Sequence, residues 1–260
     1  MNLAGIPLVD VEAELFRVVF LMVRTGAAFL AAPIFGAMGI PVQVRLVLSG
    51  AVAVFVSIWV PVALPPALLL VAGVLAVLSE VAIGLAFGFV LQLSFAAPVL
   101  AAEIIAGGMG LAMATAVDPN NGGQSGALGQ YFTLLLILIF LGLGGHLLWL
   151  RLLIDSYAAL PPGQALFGGE GALRIAGFAG EMFATAAAIA LPVTLALLVV
   201  QVVTGVLSRS APSLNLFSLG LPAGVMAGLA ALIAAMPLLT EQLVSVSIAA
   251  IEQAGSIAAP

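Results

Sequence analysis

One serine motif and four scattered acids are the places where this sequence could do chemistry. Gly123-Gln124-Ser125-Gly126 spells GxSG, the signature of rhomboid-type intramembrane serine proteases, and His146 follows it. A serine nucleophile needs a base within hydrogen-bond reach to take its proton. Here the motif lies in a loop of Asn and Gly, with no HxxxN-type oxyanion element before it. Such a pattern arises readily by chance in a glycine-rich loop. Glu80, Glu103, Asp118 and Asp155 form the other set, a proton or ion relay of the secondary-transporter kind. Against a relay, the two halves of the chain show no convincing pair of matching broken helices. Helix-to-helix hydrogen bonding is the favoured account of Glu80 and Glu103. Asp118-Pro119-Asn120-Asn121-Gly122 has a calcium-loop flavour, but the position that needs a terminal glutamate is Gly129. It is a turn. No P-loop or strand-based dinucleotide motif is present. The expectation is a protein that is not an enzyme and holds no metal or cofactor.

The stretch that contains Asp118 and Ser125 says more than either residue. It starts with Gly107, Gly108, Met109, Gly110 and Met113, small or apolar residues that could be helical. At Asp118-Pro119 it breaks into the longest uncharged polar run in the chain, ending near Gly126. Hydrophobic blocks flank it, so it sits at a membrane surface or inside a protein assembly. Glycines at this density add backbone freedom and remove bulk, which suits a movable gate element. Met109 and Met113, four apart, are either core filler or a deformable seal, since methionine adapts to changing neighbours.

The elements around it are those of a membrane protein. Of 260 residues, 64% are hydrophobic and only 7% charged, with mean hydropathy +1.34. A soluble domain carries roughly 25% charged residues. Six arginines against eleven acids give a net charge of −5, and there is no lysine, which excludes a basic nucleic-acid face or polybasic lipid patch. Cysteine is absent and histidine occurs once, excluding disulfides and arguing against a His-rich metal site. Asp10, Glu12 and Glu14 replace the basic start of a cleavable signal and suit a helix N-terminus.

Six long hydrophobic blocks are expected, several broken by Gly or Pro. The first, about residues 15–35, meets the roughly 20 residues of a membrane span and carries Arg17 and Arg24 on one face. Arg24 lies near mid-block. It is a functional candidate by default, with a structural ion pair as the other reading. The second block covers about residues 46–64. The third, about 67–95, puts Glu80 one turn before the small-residue pair Gly84 and Gly88, so Glu80 should point into a helix contact. Pro98 should break that helix, leaving a weak helix over residues 99–117 with Glu103, Gly107 and Gly110 on one face. The fourth block, 131–153, is interrupted at Gly142, Gly144 and Gly145, and Arg151 can pair with Asp155. The fifth, about 182–207, should end near Arg209 and Pro212, with Arg174 and Glu181 in its approach. After a connector at 214–219, the sixth, about 220–239, carries Gly220, Gly224 and Gly228 as another close-packing face. Arg45 and Arg209 against Arg151 and Arg174 tie the positive-inside count, so orientation is open.

In order and spacing these landmarks resemble the FliR-like export-gate family shared by flagellar and injectisome secretion systems. The resemblance covers nearly the whole chain. It rests on Arg24 with Ala32-Pro33-Ile34-Phe35, Ile40-Pro41 with Arg45, and Glu80-Val81-Ala82-Ile83-Gly84-Leu85 with Gly88-Phe89. It continues through Met109-Gly110-Leu111, Asp118-Pro119, Gly145-His146, Asp155-Ser156, and Leu160-Pro161. It closes with Leu191-Pro192, Gly205, Arg209, Ala211-Pro212, Asn215-Leu216-Phe217 and Gly220-Leu221-Pro222. Gly144 stands where the family has Asn, which leaves the role of His146 open.

The resemblance implies an all-α polytopic subunit of a helical hetero-oligomer in the bacterial inner membrane, at the flagellar basal body. Residues 1–126 would be the FliP-like part, 127–180 a connection, and 181–260 the FliQ-like helix pair. Partners would be FliP-like and FliQ-like subunits, an FlhB-like switch protein, an FlhA-like export component, membrane lipids and unfolded export substrates in transit. Residues 107–126 would act as a plug, and Arg24, Glu80, Glu103, Arg209 and Pro212 would serve assembly. Whether the cargo is flagellar or an injectisome's is open. A solute transporter using Glu80 and Glu103, and a rhomboid-like protease using Ser125 and His146, remain the alternatives.

Overall fold

The computed structural model describes residues 8–37, 39–60, 71–111, 126–163, 169–210 and 216–257. Nearly all of them are helical: α1 (Leu8–Ala31), α2 (Val42–Trp59), α3 (Val71–Gly108), α4 (Ala127–Gly142), α5 (Gly145–Ala159), α6 (Gly169–Ser210) and α7 (Leu216–Ile257). No strand occurs among the described residues. By length and apolarity α2, α3, α6 and α7 can each cross a membrane, and α4 with α5 supply a fifth crossing if they form one span. α1 falls outside that set because Glu14, Arg17 and Arg24 put at least three charges in every 18-residue window. The polytopic all-α reading stands.

Several helix boundaries fall elsewhere than the sequence suggests. Pro98 does not break α3, which runs unbroken from Val71 to Gly108. A proline removes one backbone hydrogen bond and crowds one carbonyl. Breaking an apolar helix would leave many more backbone groups unpaired with no water to take them, so the helix continues. Pro192 in α6 and Pro222 and Pro237 in α7 are carried the same way. For α7 this turns the expected 214–219 connector into helix from Leu216 onward. α6 likewise begins at Gly169 and takes in Arg174 and Glu181. The weak helix expected to reach residue 117 instead closes at Gly108. Gly110 adopts φ +82°, its N–H bonds the Gly107 carbonyl at 3.1 Å, and the Leu111 N–H bonds the Ala106 carbonyl at 3.0 Å. That double turn-back is a Schellman stop. The break between α4 and α5 falls at Gly144, φ +71°, within the expected glycine cluster.

The chain forms two compact units interleaved in sequence: residues 1–93, 144–178 and 250–260, and residues 94–143 and 179–249. In the first, α1 lies on α2, with Thr25 Oγ1 donating to the Ser49 carbonyl at 3.3 Å. Phe29, Phe35 and the fully buried Trp149 form an aromatic cluster with centroids 5.0–5.8 Å apart. The Trp149 indole donates to the Phe87 carbonyl at 3.1 Å, tying α5 to α3. α1 also meets α3 nearly backbone to backbone. A Cβ on Gly84 would overlap the Arg24 carbonyl and sit 2.9 Å from Ala27 Cβ; one on Gly88 would sit 2.5 Å from Ala31 Cβ. The Gly84/Gly88 face is thus occupied from within the chain. In the second unit Phe95 packs edge-on to Phe140 at 5.8 Å. There α4 and α7 border an open apolar groove of about 310 Å³ lined by Leu128, Tyr131, Phe132, Leu232, Ile233 and Met236, among others.

The two kinds of helical glycine should respond oppositely to a methyl group. Gly84→Ala should destabilise the detergent-purified protein by about 1–3 kcal/mol, the usual cost of overpacking. Gly107→Ala, with nothing within 4 Å of the added carbon, should be neutral or gain up to about 1 kcal/mol of helix propensity. Thermal unfolding of both variants checks the contrast.

Candidate functional site

Arg24 is the most completely engaged side chain in the first unit. It is fully buried on the α1 face that rests on α3. Its Nε donates to Glu80 Oε2 at 2.8 Å and its Nη2 to Glu80 Oε1 at 3.0 Å, a two-pronged pair between α1 and α3. Nη1 donates to the Ser156 carbonyl at 2.9 Å and to Ser156 Oγ at 3.0 Å, and Nη2 to the Leu160 carbonyl at 2.8 Å. All five guanidinium N–H groups are therefore bonded. The Ser156 and Leu160 carbonyls belong to the end of α5, where the helix dipole favours a cation. The Arg24 Cζ stands 4.3 Å from the Tyr157 ring centroid, and the Tyr157 hydroxyl donates to the Leu21 carbonyl at 2.6 Å. Only the planar fork of arginine can serve two carboxylate oxygens and a helix terminus together.

In the second unit, the end of α3 is held at several points. Met109, just past the helix, is 3% exposed. It packs into a notch formed by Gly224 and Gly228 of α7: a Cβ on Gly228 would overlap Met109 Cγ, and one on Gly224 would sit 3.2 Å from the Met109 carbonyl oxygen. Gln201 of α6 donates through Nε2 to the Gly108 carbonyl at 2.8 Å. Glu103 is exposed, and its Oε1 accepts from the Gly126 N–H at 3.1 Å, at the start of α4. One carboxylate thus joins α3 to the residue that begins the next described segment.

The remaining candidates distribute simply. Met113, Asp118, Pro119, Ser125 and Pro212 lie outside the described residues. Asp155 pairs with Arg151 at 3.6 Å on an exposed face. Arg209 is exposed in the last turn of α6 and Gly220 lies near the start of α7. Arg174 pairs with Glu170 at 3.0 Å and donates to the Ser256 carbonyl at 3.1 Å, closing the end of α7. His146, in the first turn of α5, has a buried Nδ1 without a hydrogen-bond partner. No three His, Cys, Asp or Glu side chains cluster to hold a metal among the described residues. Reading the sequence missed the parts of Gln201, Tyr157 and Trp149. Gln201, a lone amide between valines of an apolar helix, was the one with a visible signal.

The family profile of "Bacterial export proteins, family 1" matches residues 15–248. The chain belongs to that family. Among its curated relatives, it is 33% identical to the flagellar biosynthetic protein FliR of Pectobacterium carotovorum subsp. carotovorum, over 84% of this chain and 83% of the relative. It is similarly 33% identical to FliR of Escherichia coli (strain K12), over the same shares. FliR of Bacillus subtilis (strain 168) is 31% identical over 80% of each chain. In this member of the export family the Arg24–Glu80 pair ties α1 to α3.

Removing one side of that pair should be far worse than removing both. Glu80→Leu leaves a buried guanidinium uncompensated and should cost about 3–5 kcal/mol. Arg24→Met with Glu80→Leu should recover part of that loss, and Arg24→Lys should not restore it, since an ammonium cannot span both carboxylate oxygens and the α5 carbonyls. Melting temperatures of the purified variants decide.

Proposed function

We propose that the chain is a core subunit of the flagellar type III protein export gate. With FliP-like and FliQ-like subunits it forms the conduit that passes unfolded flagellar proteins across the inner membrane. An FlhB-like switch protein and an FlhA-like component act beside it. Residues 1–126 form the FliP-like part and 181–260 the FliQ-like helix pair, and residues 107–126 form the plug. The observation that carries this reading is how the buried charge is used: Glu80 has both oxygens bonded to Arg24, and Arg24 has no donor left. Charge here holds helices together and is not offered to a substrate. The long rows of exposed apolar side chains on α6, such as Leu195, Leu198, Val202 and Val206, suit a subunit surrounded by other subunits and lipid. Family membership across residues 15–248 supports the same reading.

A solute transporter would need Glu80 or Glu103 as an exchangeable ligand. Glu80 is sealed in its ion pair and Glu103 is bonded to the Gly126 backbone, which favours the gate. A rhomboid-like protease would lose all activity with Ser125→Ala, a substitution the gate should tolerate.

Deleting residues 108–112 removes the close of α3 and the root of the plug. Assembled gates carrying that deletion should conduct ions across the cytoplasmic membrane, read as dissipation of the membrane potential on induction. Normal assembly with a tight membrane would count against the plug.

A further inference from the structure

We infer that Met109, seated on Gly224 and Gly228, and Gln201, clasping the Gly108 carbonyl, form a releasable latch that fastens the end of α3 to α6 and α7. The inference rests on the plug reading and adds to it the residues that hold the closed state.

The carbonyls at the end of α3 find donors among the described residues. The last carbonyls of a helix have no partner within it. Here the Ile105 carbonyl takes the Met109 N–H at 2.9 Å, that of Ala106 takes the Leu111 N–H at 3.0 Å, and that of Gly107 takes the Gly110 N–H at 3.1 Å. Gly108 is the next in line, and among the described residues its carbonyl takes a donor from another helix, Gln201 Nε2 at 2.8 Å. The contact with α6 is therefore part of how this helix end is completed. The side chain that follows is equally dependent on a neighbour. Met109 is buried because two glycines four residues apart on α7 leave a notch of its size. On Gly228 the position a Cβ would take lies 2.8 Å from both Met109 Sδ and Cε. Any larger residue there would evict the thioether.

The joint is built to open. Gln201 is exposed on the isolated chain, and its hydrogen bond is a single neutral one, against five for Arg24. Methionine is unbranched and flexible, so it can leave the notch and be accommodated elsewhere. The contrast within the chain is with Arg24, whose five bonds and complete burial make a joint that does not open. Past Met109, Gly110 at φ +82° supplies a pivot that a residue with a side chain would resist.

The chain contains no cysteine, so a lock can be introduced cleanly. Met109 Cγ lies against the position of a Cβ on Gly228, which puts the Cβ atoms of Met109→Cys and Gly228→Cys no more than about 4 Å apart, within reach of a disulfide. The double variant should be produced in the assembled export complex and oxidised with copper phenanthroline. Thiols left free are counted by maleimide–polyethylene glycol, and secretion of a flagellar substrate is followed before and after reduction. The expected result is loss of both thiols on oxidation, a fall in secretion of at least about tenfold, and recovery with reductant. Gly107→Cys with Gly228→Cys should stay reduced, since nothing approaches Gly107.

Thiols that stay free in an assembled complex would overturn the seat. Full cross-linking with unchanged secretion would overturn the latch while leaving the plug reading intact, because residues beyond Gly110 could still move. A separate variant needs no oxidation: Gln201→Leu should raise the labelling rate of a lone Met109→Cys thiol by about tenfold, the scale of one net hydrogen bond. An unchanged rate would overturn the clasp. Failure of the plug reading itself shows elsewhere, as a tight membrane when residues 108–112 are deleted.

Discussion

A guanidinium buried among apolar helices must be satisfied completely, and the first unit of this protein is arranged to do so. An arginine at the centre of a membrane helix costs about 2.5–3.5 kcal/mol even on insertion scales that allow relaxation. Arg24 meets that demand with Glu80 on one side and the end of α5 on the other. The pairing fixes which face of α1 meets α3, and it places the α5 terminus at the same spot. Gly84 and Gly88 let α1 and α3 approach to near backbone contact on the same face as that pair. Tyr157 covers the cation and returns its own hydroxyl proton to the Leu21 carbonyl of α1. A charge that would be a liability in isolation thus specifies the geometry of three helices.

The second unit works with weaker interactions and a different backbone device. α3 ends in a Schellman stop at Gly110, and among the described residues that end is held by uncharged groups, chiefly a methionine in a glycine notch and one amide. Glu103 adds one bond to Gly126. The proposed conduit role would draw on this contrast. Under that proposal the frame would survive passage of cargo, whereas the closing element would be displaced at modest cost.

Much of this was legible in the sequence, and the failures share a cause. Composition and hydrophobic blocks gave the helical membrane class, and the spacing of Glu80, Gly84 and Gly88 gave a close contact involving the carboxylate. Spacing within one helix could not name the partner on another, so the two arginine readings stayed open until Ser156, Leu160 and Glu80 were seen around Arg24. Pro98 misled because proline's local penalty is set in water, where a broken helix can be solvated. The terminus at Gly108 was misplaced because the apolar run continues past it, while the stop comes from a single positive-φ glycine. Gln201 and the Met109 notch depend on how α6 and α7 lie against the end of α3, which no local pattern encodes.

The proposal that this chain acts as one part of a multi-subunit conduit is tested most directly by the mass of the detergent-extracted particle after co-expression with its genomic neighbours. The account predicts a single copy of this chain inside a large complex with FliP-like and FliQ-like chains. A monomer or small homo-oligomer indifferent to those chains would contradict it.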